Sequence, residues 1–186
     1  MMSKLNLQLK DDQLSKHSFM LMMEEISLQS VKTAVEWILD ANFAEERPEM
    51  MNLIITSPGG DLNAAFALID VMRGSAIPIR TIGLGQIASA GLMIFIAGEK
   101  GMRVLTPNTS ILSHQYSWGA IGKEHELFAT VREFDLTTKK MIQHYKKSTG
   151  LTEAQIREVL LPPQDVWLSP QEAKKLGLCD DIKDLK

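Results

Sequence analysis

The sequence predicts an α/β fold with parallel strand pairing, and three observations carry that expectation. Short β-rich runs alternate with amphipathic helical stretches through the first half, the arrangement that right-handed strand–helix–strand crossovers require. Glycine-bearing turns stand where those runs hand over to helices. The second half then opens on one long polar-rich helical stretch, Lys123–Ser148.

Taken in order, the elements read as follows. Ser30–Phe43 is an amphipathic helix, with Val31, Ala34, Val35 and Ile38 at helical spacing. The charged stretch Ala44–Met50 ends its apolar stripe. Asn52–Thr56 is a short strand, followed by the turn Ser57-Pro58-Gly59-Gly60. Asn63–Arg73 returns to helical spacing through Ala64, Leu68 and Val71. Ile77–Leu84 is a second strand, and the apolar run Ala90–Ala97 is a buried helix. Arg103–Thr106 and Thr109–Ser113 are strands joined by the turn Pro107-Asn108. The long helix 123–148 carries Leu127, Val131 and Phe134 on one face and stops at Gly150. Thr152-Glu153-Ala154-Gln155 and Ser169-Pro170-Gln171-Glu172 are capping boxes, the second with proline at the first helical position, and Gly177 closes the last helix.

Composition narrows the function classes. The 186 residues are 45% hydrophobic and 23% charged, enough for one domain over residues 1–186 with a sizeable core. A net charge of −3 argues against nucleic acid as the partner. The one cysteine, Cys179, cannot form an internal disulfide, and no Cys/His spacing suggests a metal, so a reducing cytoplasm is expected. No apolar run has the length of a membrane span. The opening segment, Met1–Lys16, lacks the basic-then-apolar pattern of a secretory signal, so the chain is expected to work where it is made.

Four places carry candidate chemistry. In Gly85-Gln86-Ile87-Ala88-Ser89-Ala90-Gly91 a serine stands between a strand and an apolar helix among small neighbours, as an exposed nucleophile with nearby backbone N–H donors requires. It is not the G-x-S-x-G elbow, because Ile87 takes the first glycine position. His114, at the end of a short strand, has the chemistry of a general base. His17, His125 and His144 lie in polar or helical surroundings and read as solvated. Asp165 follows Pro162-Pro163 and precedes the capped Ser169 helix; it could orient a histidine or simply occupy a turn. Ser57-Pro58-Gly59-Gly60-Asp61 offers close backbone approach for an oxyanion donor or a substrate rail, and it lacks the phosphate-binding glycine patterns. Each signal alone also fits a packing site or a surface turn.

Their order along the chain is more specific. SPGG, GQIASAG, SHQ and QDVWLSPQEAKKLGLCDDI resemble the Clp protease proteolytic subunit family, whose segments read SPGG, GQAASMG, IHQP and a DRFLSA-like stretch. The resemblance spans Phe19–Ile182. It implies a ClpP/crotonase-like fold of stacked ββα units with a protruding handle helix at 123–148. It implies a serine endopeptidase with Ser89 as nucleophile, His114 as base and Asp165 as orienting acid. Gly60 and Ala90 match the oxyanion-hole N–H donors, and Gly59, Gln115 and Tyr116 are expected along the substrate. The implied partners are peptide or unfolded protein substrates, further copies in two stacked heptameric rings, and an AAA+ unfoldase of the ClpX, ClpA or ClpC type. Neither nucleic acid nor membrane is implied, and the peptidase itself needs no metal or small cofactor. The chain departs from the family at Ala90, where a methionine is usual, at Tyr116, where proline is usual, and at Pro162-Pro163, where the family carries charge. A crotonase-type acyl-CoA enzyme and a non-catalytic ring subunit are the alternatives. Neither uses the ordered serine, histidine and aspartate.

Overall fold

The computed structural model describes residues 18–185, so the expected N-terminal segment 1–16 and His17 lie outside the described residues. Strand β1 (Phe19–Met22) leads into helix α1 (Leu28–Phe43), strand β2 (Met51–Ser57) into α2 (Leu62–Gly74), and strand β3 (Ile79–Ala88) into the short α3 (Ala90–Phe95). Strands β4 (Arg103–Leu105) and β5 (Ser110–Ser113) follow, then the long α4 (Glu124–Thr149), α5 (Glu153–Val159), β6 (Val166–Leu168), α6 (Pro170–Lys175) and β7 (Asp181–Ile182). The sheet runs β1-β2-β3-β4-β7, with β5 and β6 branching from β3. Every pairing is parallel except β5 with β6. The parallel α/β architecture expected from the alternation is the one observed.

Strand β3 is long enough to serve two neighbours. Its first half pairs with β4 from Thr81 to Gly83, and its second half pairs with β5 from Gln86 to Ala88. Between the halves Gly85 takes φ 60°, a bend that suits glycine. Strands buried on both faces read as continuous apolar runs, and MNLIITS in β2 is of that kind. The core gathers Met22, Leu53, Ile55, Leu68, Phe95 and Tyr145, all fully buried.

Three strands escape the sequence reading: β1, β6 and β7. They have four, three and two residues, too few for an alternation to register. The helix ends follow their caps. Ser27 accepts from Ser30 N and starts α1 earlier than the apolar spacing indicates. Gly150 at φ 82° ends α4.

Helix α4 is two-sided along its length. Its buried residues are Thr137, Met141, Ile142, His144 and Tyr145, all in the C-terminal half. The N-terminal half leaves Leu127, Phe128 and Val131 exposed. No helix of the described residues is long and apolar enough to cross a membrane.

Candidate active site

Register brings the candidate residues together. Parallel pairing of β3 with β5 sets Ala88 beside Leu112, and the Ser89 N–H donates to the Leu112 carbonyl at 3.0 Å. Antiparallel pairing of β5 with β6 sets Ser113 beside Val166. Continued one position, that ladder places His114 opposite Asp165. Ser89 and His114 thus follow the C-terminal ends of neighbouring parallel strands, with the glycine turn after β2 alongside, the edge at which open α/β sheets hold their ligands.

Ser89 is built to expose its hydroxyl. It sits at φ 52° and ψ −121°, a left-handed conformation for a non-glycine residue at the junction of β3 and α3. Such a backbone costs about 1–3 kcal/mol and persists only where the surroundings impose it. The side chain makes no capping bond to α3; its Oγ lies 2.7 Å from His114 Nε2. His114 Nδ1 lies 3.8 Å from Asp165 Oδ1, beyond hydrogen-bond length, and Asp165 is 63% exposed. Serine and histidine are therefore bonded, while the aspartate stands at ion-pair distance, and roughly 1 Å of movement would close the gap.

The glycine turn is fitted against the serine. A Cβ added at Gly59, at φ 101°, would lie 2.7 Å from the Ser89 Cβ and 3.4 Å from the Ala90 nitrogen. A Cβ at Gly60, at φ 139°, would collide with the Ile26 carbonyl oxygen. The turn is held from the other side too, since Ile26 N donates to Gly59 O at 2.7 Å and Asp61 N donates to Ile26 O at 2.8 Å. Asp61 then caps α2 by accepting from Asn63 N and Ala64 N. Among the described residues the N–H groups of Gly60 and Ala90 meet no backbone acceptor.

Beside Ser89 and His114 opens a cleft of about 310 Å³ whose walls include Leu62, Met93, Leu112, Met141 and Tyr145. Gln115 and Tyr116 also line it. The Gln115 side chain donates to Leu161 O at 2.9 Å, tying its strand end to the segment that leads to Asp165. The Tyr116 ring stacks on Phe134 at 5.9 Å between centroids, and Trp118 packs on the same ring at 5.1 Å.

Several supporting groups lie beyond the sequence reading. Ser113, next to His114, bonds the buried Tyr145 hydroxyl at 2.8 Å and donates to Leu160 O at 2.6 Å. Burial pushes the Tyr145 phenol well above its ordinary range. Arg103, 3% exposed, donates through Nη2 to Asp180 Oδ1 at 2.7 Å and through Nη1 to Ser148 O at 2.9 Å, joining β4, the end of α4 and the C-terminal segment. Asp180 is held below the usual carboxylate range; burial opposes this, and the bonds from Arg103 and from the Gly101 N–H outweigh it.

His144 corrects the expectation of a solvated side chain. It is 2% exposed. Its Nε2 bonds Met93 O at 2.8 Å, and its Nδ1 bonds the Arg73 guanidinium. His125 is exposed, as expected.

Comparison with known proteins agrees with the motifs. Residues 6–186 match the Clp protease family. The ATP-dependent Clp protease proteolytic subunit 2 of Corynebacterium glutamicum is 35% identical over 139 residues, which cover 75% of this chain and 68% of that protein. The match takes in most of the chain and agrees with the parallel α/β architecture that carries the serine, histidine and glycine motifs, so the chain belongs to the Clp protease family and is a serine-type peptidase subunit of that chambered kind.

Proposed function

We propose that the chain cleaves peptide bonds by acyl transfer, with Ser89 as nucleophile, His114 as general base and then acid, and Asp165 orienting the imidazole. The observation that carries this is the 2.7 Å bond between His114 Nε2 and the Ser89 hydroxyl. Nε2 takes the Ser89 proton as Oγ attacks the scissile carbonyl. The charge that develops on the carbonyl oxygen is received by the N–H groups of Gly60 and Ala90. His114 then protonates the leaving amine, and a water activated by the same imidazole releases the acyl group. The imidazolium formed in each half-reaction faces the Asp165 carboxylate. Gly59, Gln115 and Tyr116 flank the path of the extended substrate, and the apolar walls of the cleft suit an apolar substrate side chain.

The proposal extends to assembly and supply. Copies of the chain stack as two heptameric rings through α4, whose exposed Leu127, Phe128 and Val131 call for an apolar partner. Unfolded protein reaches the chamber in the cytoplasm through an AAA+ unfoldase of the ClpX, ClpA or ClpC type, which consumes the ATP. Family membership and the printed name of the relative, an ATP-dependent protease subunit, support this.

Ser89→Ala tests the chemistry. Hydrolysis of a short fluorogenic peptide should fall by about 10⁴-fold or more, with the mass of the particle by light scattering unchanged. A rate near that of the parent would remove Ser89 as nucleophile.

A further inference from the structure

Helix α3 carries Ser89 at its start and is only six residues long, so its carbonyls have few internal partners. Ile96 N donates to Leu92 O at 3.0 Å, Ala97 N to Ile94 O at 3.1 Å, and Gly98 N to Phe95 O at 3.3 Å. The Met93 carbonyl is passed over in this sequence. A buried carbonyl without a donor is costly, and its donor comes from another helix. His144 Nε2, on α4, lies 2.8 Å away.

The proton's position on that ring is fixed by its other neighbour. Arg73, in the last turn of α2, reaches His144 Nδ1 with its guanidinium. A guanidinium only donates, so Nδ1 accepts and Nε2 bears the proton that Met93 O receives. The charged groups facing the imidazole are Arg73 from α2 and Lys147 on its own helix, while α3 presents only apolar residues. Burial first, and then these cations, push the His144 pKa down to about 4, so the ring is neutral at neutral pH. The Phe66 ring closes the site edge-on at 6.4 Å.

Met93 is held at both ends of its residue, by the nucleophile on one side and by His144 on the other. Its N–H donates to Ser89 O at 3.2 Å, its carbonyl accepts from His144, and the residue lines the cleft beside Ser89.

We infer that His144 is a positioning residue for Ser89: through the Met93 carbonyl it holds the first turn of α3, and with it the Ser89 hydroxyl and the Ala90 N–H, against the C-terminal half of α4. This rests on the reading of Ser89 as nucleophile. A neutral imidazole then connects the long helix to the first turn of α3, and the packing of that helix is transmitted to the rate.

The test separates the two ring nitrogens. His144→Gln places an amide N–H where Nε2 stands and keeps a donor to Met93 O. His144→Asn reaches only the Arg73 side, and His144→Leu fills the space with no donor. The assembled fraction of each is isolated by gel filtration. On it are measured kcat and KM for a short fluorogenic peptide and the rate of Ser89 labelling by a fluorophosphonate. His144→Gln should stay within about threefold of the parent, while His144→Asn and His144→Leu should lose about tenfold or more in kcat and labelling rate with little change in KM. Parent-like kcat in an assembled variant lacking the donor overturns the inference. So does an equal loss in His144→Gln. Failure of both donor-less variants to assemble would also overturn it, by assigning His144 to the fold alone. Ser89→Ala is run alongside. If it keeps hydrolysing peptide, the nucleophile assignment fails, independently of what the His144 variants do.

Discussion

Gly59→Ala should leave a folded protein with a misplaced nucleophile. The new Cβ would stand 2.7 Å from the Ser89 Cβ. Two carbons in ordinary contact need about 3.5 Å, so one of the two chains must yield by roughly 0.8 Å. The glycine turn cannot readily withdraw, because the Ile26 N–H holds Gly59 O at 2.7 Å and Asp61, two residues on, caps α2. Ser89 is already at φ 52° and is the part that moves. A displacement of that size breaks a 2.7 Å bond to His114, and misplacements near 1 Å cost on the order of 10²-fold in rate. Alanine at φ 101° adds about 1–2 kcal/mol of backbone strain. The expected outcome is a fall of about 10²-fold in kcat and in fluorophosphonate labelling, with a modest drop in melting temperature. A variant that melts lower yet labels at the parent rate would show that the turn, and not the serine, gives way, and the reasoning would fail.

Asp165→Asn keeps the shape but presents an amide to His114 Nδ1; peptide turnover should fall by up to about 10⁴-fold, and a loss of only a few-fold would point to water as the orienting group. Asp180→Asn leaves Arg103 buried with a weaker partner and should cost about 3 kcal/mol in denaturant unfolding; an unchanged midpoint would contradict that. Leu127→Asp with Val131→Asp puts charge on the exposed stripe of α4 and should lower the particle mass by light scattering and the activity together; a full-rate monomer would exclude assembly through this helix. Acid should weaken the fold through His144. Its pKa is about 4 in the native protein against an ordinary 6.5, so the unfolded chain binds the extra proton, and stability falls as pH drops from about 6.5 to about 4. The total is roughly 3 kcal/mol. Unfolding midpoints of parent and His144→Gln should converge across that window, and parallel curves would refute the assignment.

Local pattern revealed what is locally determined. The capping boxes at Thr152 and Ser169 and the stop at Gly150 each follow from neighbouring residues and stand where the sequence puts them, whereas the strand read as Ile77–Leu84 runs on through the Gly85 bend to Ala88. Asp165 was legible only through the order of the motifs. What brings it to His114 is the β5–β6 ladder, and a three-residue strand leaves no period in sequence. His144 was misread for a related reason. Its neighbours Gln143, Lys146 and Lys147 are exposed and suggest a wet helix, whereas its burial is decided by a carbonyl on a helix far away in sequence. Arg103 stood in plain view as a strand residue, but its partners Asp180 and Ser148 come from segments that only the closed fold unites.

The unequal burial of α4 divides one helix into two territories with different structural duties. Between Thr137 and Tyr145 the side chains that touch α3 or the strand bearing His114 leave little room for substitution. Between Glu124 and Leu136 most side chains face outward, and Phe134, stacked on Tyr116, meets a residue of the cleft. Elsewhere on that outer half, changes reach the chemistry only through the partner surface that the exposed Leu127, Phe128 and Val131 offer, so exchanges that keep this face apolar leave the reacting groups in place. Duplicated copies of such a gene could therefore drift apart in which subunits they accept as neighbours and remain the same enzyme.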